Sequence, residues 1–272
     1  MRRLPVNLIL GGVLVAFVVG IAALSLVWTP HDHTLLNIRG KFAPPSAEHW
    51  FGTDQLGRDV LSQLMAAARN SVAVALIAVL LGGSIGVTLG LLASALGGIV
   101  EDVLMRLADI GFAFPALLFA IMLAAVFGPS LTVAIVAIAF INIPTFARIT
   151  RASANQIWTR EYVYAARAAG MGRFAISRDH ILPNIAAPVI VQATIEFAIA
   201  ILAEAALSYL GLGAQPPAPS WGRMLSEAQT LLYLAPQLAI FPGLCIVIAV
   251  LGFSLLGDGL RDVTDPRLVR ER

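Results

Sequence analysis

Long apolar stretches separated by short polar segments dominate the pattern along the chain. A helix needs about 20 apolar residues to cross a hydrocarbon core of about 30 Å. Six stretches come close to or exceed that length, and each predicts a transmembrane helix: 8–28, 72–96, 111–127, 131–146, 185–203 and 238–256. Only Gly128-Pro129-Ser130 separates the third stretch from the fourth, which predicts a tight helical hairpin. The pattern therefore predicts an all-α membrane protein with six transmembrane helices.

The first apolar stretch follows Arg2 and Arg3, as the core of a secretory signal would. Its 21 residues exceed the roughly 7–15 apolar residues of such a signal. A retained membrane anchor is therefore favoured over a cleaved signal.

Composition supports the membrane interpretation. Hydrophobic residues make up 58% of the 272 positions and charged residues 12%, whereas about 25% of a soluble domain is charged. The net charge of +2 gives no electrostatic footprint for nucleic acid. The single cysteine, Cys245, excludes an internal disulfide and a cysteine-based zinc site.

Basic residues are shared unevenly between the two sides of the predicted membrane. Six spans place both termini on one side, and that side receives thirteen of the eighteen Lys and Arg residues. The positive-inside rule then predicts that both termini and the segment 147–184 are cytoplasmic. The predicted organisation is an anchor with an external segment (1–71), a core transmembrane domain (72–256) and a cytoplasmic tail (257–272).

Ionisable groups are scarce inside the predicted spans. All four histidines lie in loops, which disfavours an intramembrane hydrolase. Glu196 lies well inside the fifth span and Glu204 at its outer end. A carboxylate at that depth indicates a functional residue, although a hydrogen-bonded packing residue explains Glu196 equally well. A cation-coupled carrier would show more such groups or symmetric broken helices.

Three glycines recur every four residues in the second span: Gly82, Gly86 and Gly90. Glycines at this spacing form a smooth stripe that lets another helix backbone approach closely. The stripe predicts a packing seam, and a seam that slides during transport is the alternative.

The chain contains no P-loop. The motif G-x-x-x-x-G-K-[ST] requires a lysine, and the one lysine, Lys41, has Leu35 at the position of the first glycine. No ATP site of this type, no catalytic residue and no enzymatic activity are predicted. Energy for uphill transport would have to enter through a partner.

The segment 147–184 has the pattern of a helix–turn–helix. Its first half is rich in alanine from Glu161 onward and stops at Gly170 and Gly172, which suit the end of a helix. A second short helix would run to Leu182, where Pro183 re-aims the chain into the fifth span. The small residues at the turn predict a knob that fits a groove on another protein. A basic loop resting on anionic lipid is the alternative.

Ala165-Ala166-x-x-x-Gly170, followed by Leu182-Pro183, resembles the EAA loop in the membrane subunits of bacterial ABC importers. The sequence departs from that pattern at Tyr164, where the family has Glu, and at His180, where it has Ile. The resemblance implies that ATPase subunits dock on the loop residues Glu161, Ala165, Ala166, Gly170, Gly172, Leu182 and Pro183.

Three further segments are similar to the C-type permease of dipeptide, oligopeptide and nickel importers. They lie at 45–59, 207–222 and 257–266, so the resemblance covers about residues 42 to 268. It implies a type I ABC importer transmembrane domain in the bacterial inner membrane. The implied partners are a second homologous permease, two ATPases that bind ATP and Mg, an extracytoplasmic binding protein and membrane lipid. No cofactor is expected in this chain.

The resemblance favours di- or oligopeptides as the substrate, with nickel or another small solute as the alternative. A secondary transporter or channel subunit is the alternative from another class. His31-Asp32-His33 could ligate a transition metal and would then favour nickel. Two histidines in a loop are also typical of an ordinary solvated segment, so no metal site is predicted.

The two segments predicted to lie outside the membrane, before the second span and after the fifth, each predict a local structure. Gly52-Thr53-Asp54 predicts a turn and helix cap, followed by an amphipathic surface helix with Leu56, Val60, Leu64 and Ala68 on one face. The three prolines in 211–222 predict a rigid loop near the pore mouth, with Trp221 anchored at the membrane interface. The candidate pore or gate residues are Glu196, Glu204 and Trp221.

Overall fold

The computed structural model describes residues 5–264, which form helices and connecting loops without a β-strand. The helices are α1 (Val6–Leu24), α2 (Val60–Leu96), α3 (Gly98–Ala113), α4 (Ala116–Phe127), α5 (Leu131–Trp158), α6 (Glu161–Ala168), α7 (Arg173–Ile176), α8 (Leu182–Tyr209), α9 (Trp221–Ala228) and α10 (Gln237–Thr264). Within the motif 257–266, Asp265 and Pro266 lie outside the described residues.

Within residues 5–264, five helical segments are long and apolar enough to cross a membrane: α1, α2, α5, α10 and the continuous helix Arg173–Tyr209. Together α3 and α4 form a sixth candidate, but the two helices are bent by 83°. The expectation of one uninterrupted span at 111–127 is therefore corrected. Pro115 disfavours helical geometry in the preceding residue, and Phe114 is accordingly extended, with ψ at 123°.

Helix α2 begins twelve residues earlier than the predicted span. Asp59 caps it by accepting a hydrogen bond from the Ser62 backbone N–H. The segment expected to form a separate surface helix is the start of α2, and every side chain from 62 to 68 is buried. A surface helix would bury one face, but neighbouring segments of the protein contact this part of α2 on all sides.

Helices α2 and α5 run side by side at the distance of backbone contact. A Cβ atom added at Gly82, Gly86 or Gly90 would lie 2.5–2.6 Å from a backbone carbonyl oxygen of α5. No side chain larger than hydrogen fits at that separation. The three glycines thus lie in one continuous helix–helix contact.

The bundle has two distinct ends. At the α9 end, the N-terminal part of α2 contacts the segments 29–59 and 210–236. At the α6 end, a separate hydrophobic cluster joins the last turns of α2 and α5 to the region 161–185: Ala95, Ala154, Trp158, Val163, Ile176, Ile181 and Ile185. The main core extends from the α9 end, where it includes Trp221 and Met224, into the middle of the bundle.

Candidate functional site

The turn after α6 has the geometry of a glycine-terminated helix. Gly170 has φ +86°, and its N–H donates to the Arg167 carbonyl at 2.9 Å. The Met171 N–H donates to the Ala166 carbonyl at 3.1 Å. This pair of bonds is the Schellman motif, in which a left-handed residue closes the helix. Gly172 was also expected to end the helix, but it starts α7 with φ −72°, a value open to any residue.

The inner side of α6 is fixed to the membrane helices. Val163 is fully buried in the cluster at the α6 end, which includes Ile181, just before α8, and Ile185 in the first turn of α8. The Arg167 guanidinium lies over the Trp158 ring of α5, 4.9 Å from its centroid. A displacement of α6 would therefore act on both α5 and α8.

The outer side of α6 and its turn is a small-residue surface with an aromatic rim. Ala165 and Gly170 are exposed, and Ala166 is partly buried. A Cβ at Gly170 would meet no atom of this chain within 4 Å. Tyr164 and Phe174 are 54% and 63% exposed. Four arginines and one glutamate flank them: Arg160, Arg167, Arg173, Arg178 and Glu161.

Pro183 does not re-aim the chain as the sequence led us to expect. The helix runs without interruption from Arg173 to Tyr209, through a π-helical turn at Ser177–Ile181. In this turn the Leu182 N–H donates to the Ser177 carbonyl, five residues earlier. The wider turn accommodates Pro183, which lacks an N–H, at the start of α8. The second half of the loop, from Arg173 onward, is therefore one continuous helix with the fifth span.

Ion pairs and a hydrogen bond that no sequence motif predicted link the region 148–173 to α2 and α3. Arg173 donates to the Leu96 carbonyl at 3.1 Å, which places a cation at the C-terminus of α2. Arg151 of α5 pairs with Glu101 of α3 at 2.5 Å. Arg148 also pairs with Asp109 of α3. These contacts join α3 to the helix that leads directly into α6.

Glu204, one of the candidate gate residues, has its polar partners within this chain. Its side chain is fully buried at the α9 end. The Ser71 hydroxyl donates to one carboxylate oxygen at 2.7 Å, and the Ser208 hydroxyl donates to the other at 2.6 Å. Glu204 therefore joins α2 to α8.

Glu196 is also buried, and it accepts a hydrogen bond from Gln192 at 2.9 Å. This contact within α8 is the geometry of a hydrogen-bonded packing residue.

Trp221 packs inside the protein and does not face lipid. It is 2% exposed, and its indole N–H donates to the Leu64 carbonyl of α2 at 3.3 Å. Ser220 caps α9 by accepting from the Arg223 N–H, and Asn70 donates to the Pro219 carbonyl at 2.7 Å. The proline-rich loop folds back onto α2, which buries the indole.

A cavity of about 330 Å³, with both charged and apolar side chains in its lining, lies at the α9 end between residues 55–63 and 216–227. Arg58 bonds Asp54 at 2.6 Å and Glu227 at 3.0 Å, and Arg223 bonds Glu227 at 2.9 Å. The loop before α2 and helix α9 therefore form one ion-paired surface, although they are distant in sequence.

Comparisons with known proteins agree on one family. Residues 86–270 match the family described as "Binding-protein-dependent transport system inner membrane component". The dipeptide transport system permease protein DppC of Alkalihalophilus pseudofirmus is 43% identical over 96% of this chain and 86% of its own length. The di/tripeptide transport system permease protein DppC of Pseudomonas aeruginosa is 42% identical over 95% and 88%.

Two further matches extend this result. The glutathione transport system permease protein GsiD of Pectobacterium atrosepticum is 44% identical over 82% of this chain and 74% of its own length. Among solved structures, one titled as inward facing conformations of the MetNI methionine ABC transporter has a TM-score of 0.62 at 21% identity. The match covers 75% of this chain and 97% of that one, and it shows a shared fold.

Proposed function

The chain belongs to the family of binding-protein-dependent transport system inner membrane components, and we propose that it forms half of a peptide-translocating pore driven by separate ATPases. As a member it is a multi-pass inner membrane permease of the ABC importer class.

The observation that carries the coupling proposal is the exposed turn of α6 on a buried base. Ala165 and Gly170 face away from the chain, whereas Val163 is fully buried in the cluster at the α6 end. An ATPase that binds this turn and moves on ATP binding would carry α6 with it. Since α5 and α8 share that cluster, the movement would reach the membrane helices and switch the pore between inward- and outward-facing states.

We place the α6 end in the cytoplasm and the α9 end outside. The arginine-rich segment 147–184 supports this orientation through the positive-inside rule. ATPases then reach the turn of α6, and an extracytoplasmic binding protein delivers substrate to the α9 end. The ion-paired surface of Arg58, Arg223 and Glu227 supplies charged groups there for such a partner.

The proposed substrate class is di- or oligopeptides. Its support is that the relatives covering most of this chain are named for dipeptide, di/tripeptide and glutathione transport. Nickel or another small solute remains the second candidate within the family. A second homologous permease would complete the pore, and the two ATPases would bind ATP and Mg, so this chain would carry no cofactor of its own.

Reconstitution tests the proposal directly. This chain, its second permease, the ATPases and the binding protein are co-expressed, purified and placed in proteoliposomes with a labelled dipeptide or Ni²⁺. We expect dipeptide uptake that requires ATP and the binding protein. Uptake of Ni²⁺ alone would contradict the peptide assignment. Uptake driven by an ion gradient without ATP would support a secondary transporter.

A further inference from the structure

Two histidines and one aspartate meet beside the N-terminus of α2. One ring nitrogen of His31, one of His49 and one carboxylate oxygen of Asp59 all lie within 4.8 Å of one another. The two imidazole centroids are 4.6 Å apart, and His49 Nδ1 is 2.9 Å from Asp59 Oδ1. The sequence drew attention to His31 with His33, but the fold brings His31 to His49, eighteen residues further along.

The hydrogen bond of His31 determines which of its nitrogens can bind a cation. His31 Nε2 lies 2.8 Å from the Glu48 carbonyl oxygen, which can only accept, so Nε2 carries the proton. In the neutral ring, Nδ1 is then left with a free lone pair. Metal-binding histidines almost always donate their other ring N–H to a carboxylate, a backbone carbonyl or water, and His31 donates to a carbonyl.

His49 can bind a cation through a ring nitrogen while its imidazole stays neutral. Its neutral ring carries one proton, which lies on Nδ1 when that atom donates to Asp59. A cation that binds between Nδ1 and Asp59 Oδ1 selects the other neutral tautomer, in which solvent takes the proton from Nδ1 and supplies one to Nε2. The imidazole stays neutral, and the Asp59 carboxylate supplies the negative charge.

The cluster is held in place by the protein itself. The second oxygen of Asp59 accepts from the Ser62 N–H at 2.8 Å and the Ser62 hydroxyl at 2.7 Å. The Ser62 hydroxyl in turn accepts from the His31 backbone N–H at 2.9 Å. These bonds occupy the second oxygen, so Oδ1 is the oxygen that contacts His49 Nδ1. Asp59 is buried, whereas both histidines are partly exposed, so a cation can enter from solvent.

We propose that His31, His49 and Asp59 bind one late first-row divalent cation, with Zn²⁺ as the type case. Two imidazoles and one carboxylate suit such a cation, and three protein ligands with one water complete a tetrahedral zinc site. The bound cation would fasten the segment after α1 to the start of α2. It would thereby stabilise residues 29–59, which form part of the α9 end.

Zn²⁺ alone is the probe, and the sample is the assembled transporter carrying this chain without a histidine tag. The complex is stripped with a chelator, dialysed against Zn²⁺ and analysed for bound metal, and Co²⁺ is used to record the visible spectrum of the site. The test variant is His31→Ala, because it leaves the Asp59–His49 contact and the Asp59 cap intact. His33→Ala is the matched control, because it removes a histidine only two residues away that does not belong to the cluster of His31, His49 and Asp59.

We expect one more Zn²⁺ per complex in the wild type and in His33→Ala than in His31→Ala, with at least about a tenfold loss of affinity in His31→Ala. The Co²⁺ complex should show tetrahedral absorption bands that His31→Ala abolishes and His33→Ala retains. Equal metal content in all three proteins, or Co²⁺ spectra that do not differ between them, would overturn the proposal.

Discussion

The Ser71 hydroxyl of α2 donates a 2.7 Å hydrogen bond to the Glu204 carboxylate of α8, and neither residue is exposed to solvent. These residues are 133 positions apart in sequence. Ser208 donates to the other carboxylate oxygen and accepts from the Ala214 N–H. One carboxylate therefore fixes α2, α8 and the start of the proline-rich loop to one another.

Replacing Glu204 with Ala should destabilise the α9 end. The change leaves the buried Ser71 and Ser208 hydroxyls without their acceptor, and each unsatisfied buried group costs about 1–3 kcal/mol. Glu204→Gln should lose less, because an amide can accept from one serine and donate to the other. The measurement is the unfolding temperature of the purified complex, with uptake measured in parallel. Asp102→Ala, at an exposed carboxylate, is the control, and a Glu204→Ala protein as stable as this control would contradict the assignment.

Substitution in the contact between α2 and α5 should also destabilise the protein. The added Cβ of Gly86→Ala would lie 2.5 Å from the Ile143 carbonyl oxygen, and overpacking of this kind costs about 1–3 kcal/mol. Gly12→Ala in α1 is the matched control, because its Cβ meets nothing within 4 Å and alanine favours a helix by about 0.5–1 kcal/mol. Thermal unfolding of the two variants checks the difference. Equal stability would mean that the two helices are farther apart in the membrane.

The sequence predicted the features that depend on local physics. A helix needs about 20 apolar residues to cross a bilayer, so the spans could be predicted from the length of the apolar stretches. Glycine favours left-handed turns, so the end of α6 at Gly170 could be predicted as well. The start of α2 was predicted as a separate surface helix, because Leu56, Val60, Leu64 and Ala68 share one apolar face and nothing in the local pattern shows that the other faces are buried too. The contacts of Glu204, Trp221 and His49 depend on residues distant in the chain, for which one sequence gives no local signal.

The orientation of the chain can be tested with topology reporters. If the α6 end is cytoplasmic, a reporter inserted after Arg160 responds as a cytoplasmic protein and one inserted after His49 as an external protein. Accessibility of single cysteines at the same positions, in a Cys245→Ala background, provides an independent measurement. Opposite labelling would refute the orientation and, with it, access of ATPases to α6.

Substitution of Gly170 should weaken coupling in two steps. Gly170→Ala places a side chain at φ +86°, which costs about 1–2 kcal/mol, and should reduce uptake in part. Gly170→Arg adds a long side chain to the docking surface and should nearly abolish uptake. Gly172→Ala is the conformational control, because Gly172 has φ −72° and open space around it. Uptake is normalised to permease in the membrane, which should be unchanged because the position lies outside the predicted spans. Full uptake by Gly170→Arg would contradict a role in coupling.

Site-specific photo-crosslinking tests the central claim most directly, namely that ATPase subunits dock on the turn of α6. A photoreactive residue replaces Tyr164, which is 54% exposed on that surface, or Ile199 of α8, which is 50% exposed within a membrane-spanning helix. After illumination of the assembled transporter, the Tyr164 position should form an adduct with an ATPase subunit and the Ile199 position should form none. An ATPase adduct from Ile199 with none from Tyr164 would contradict the account.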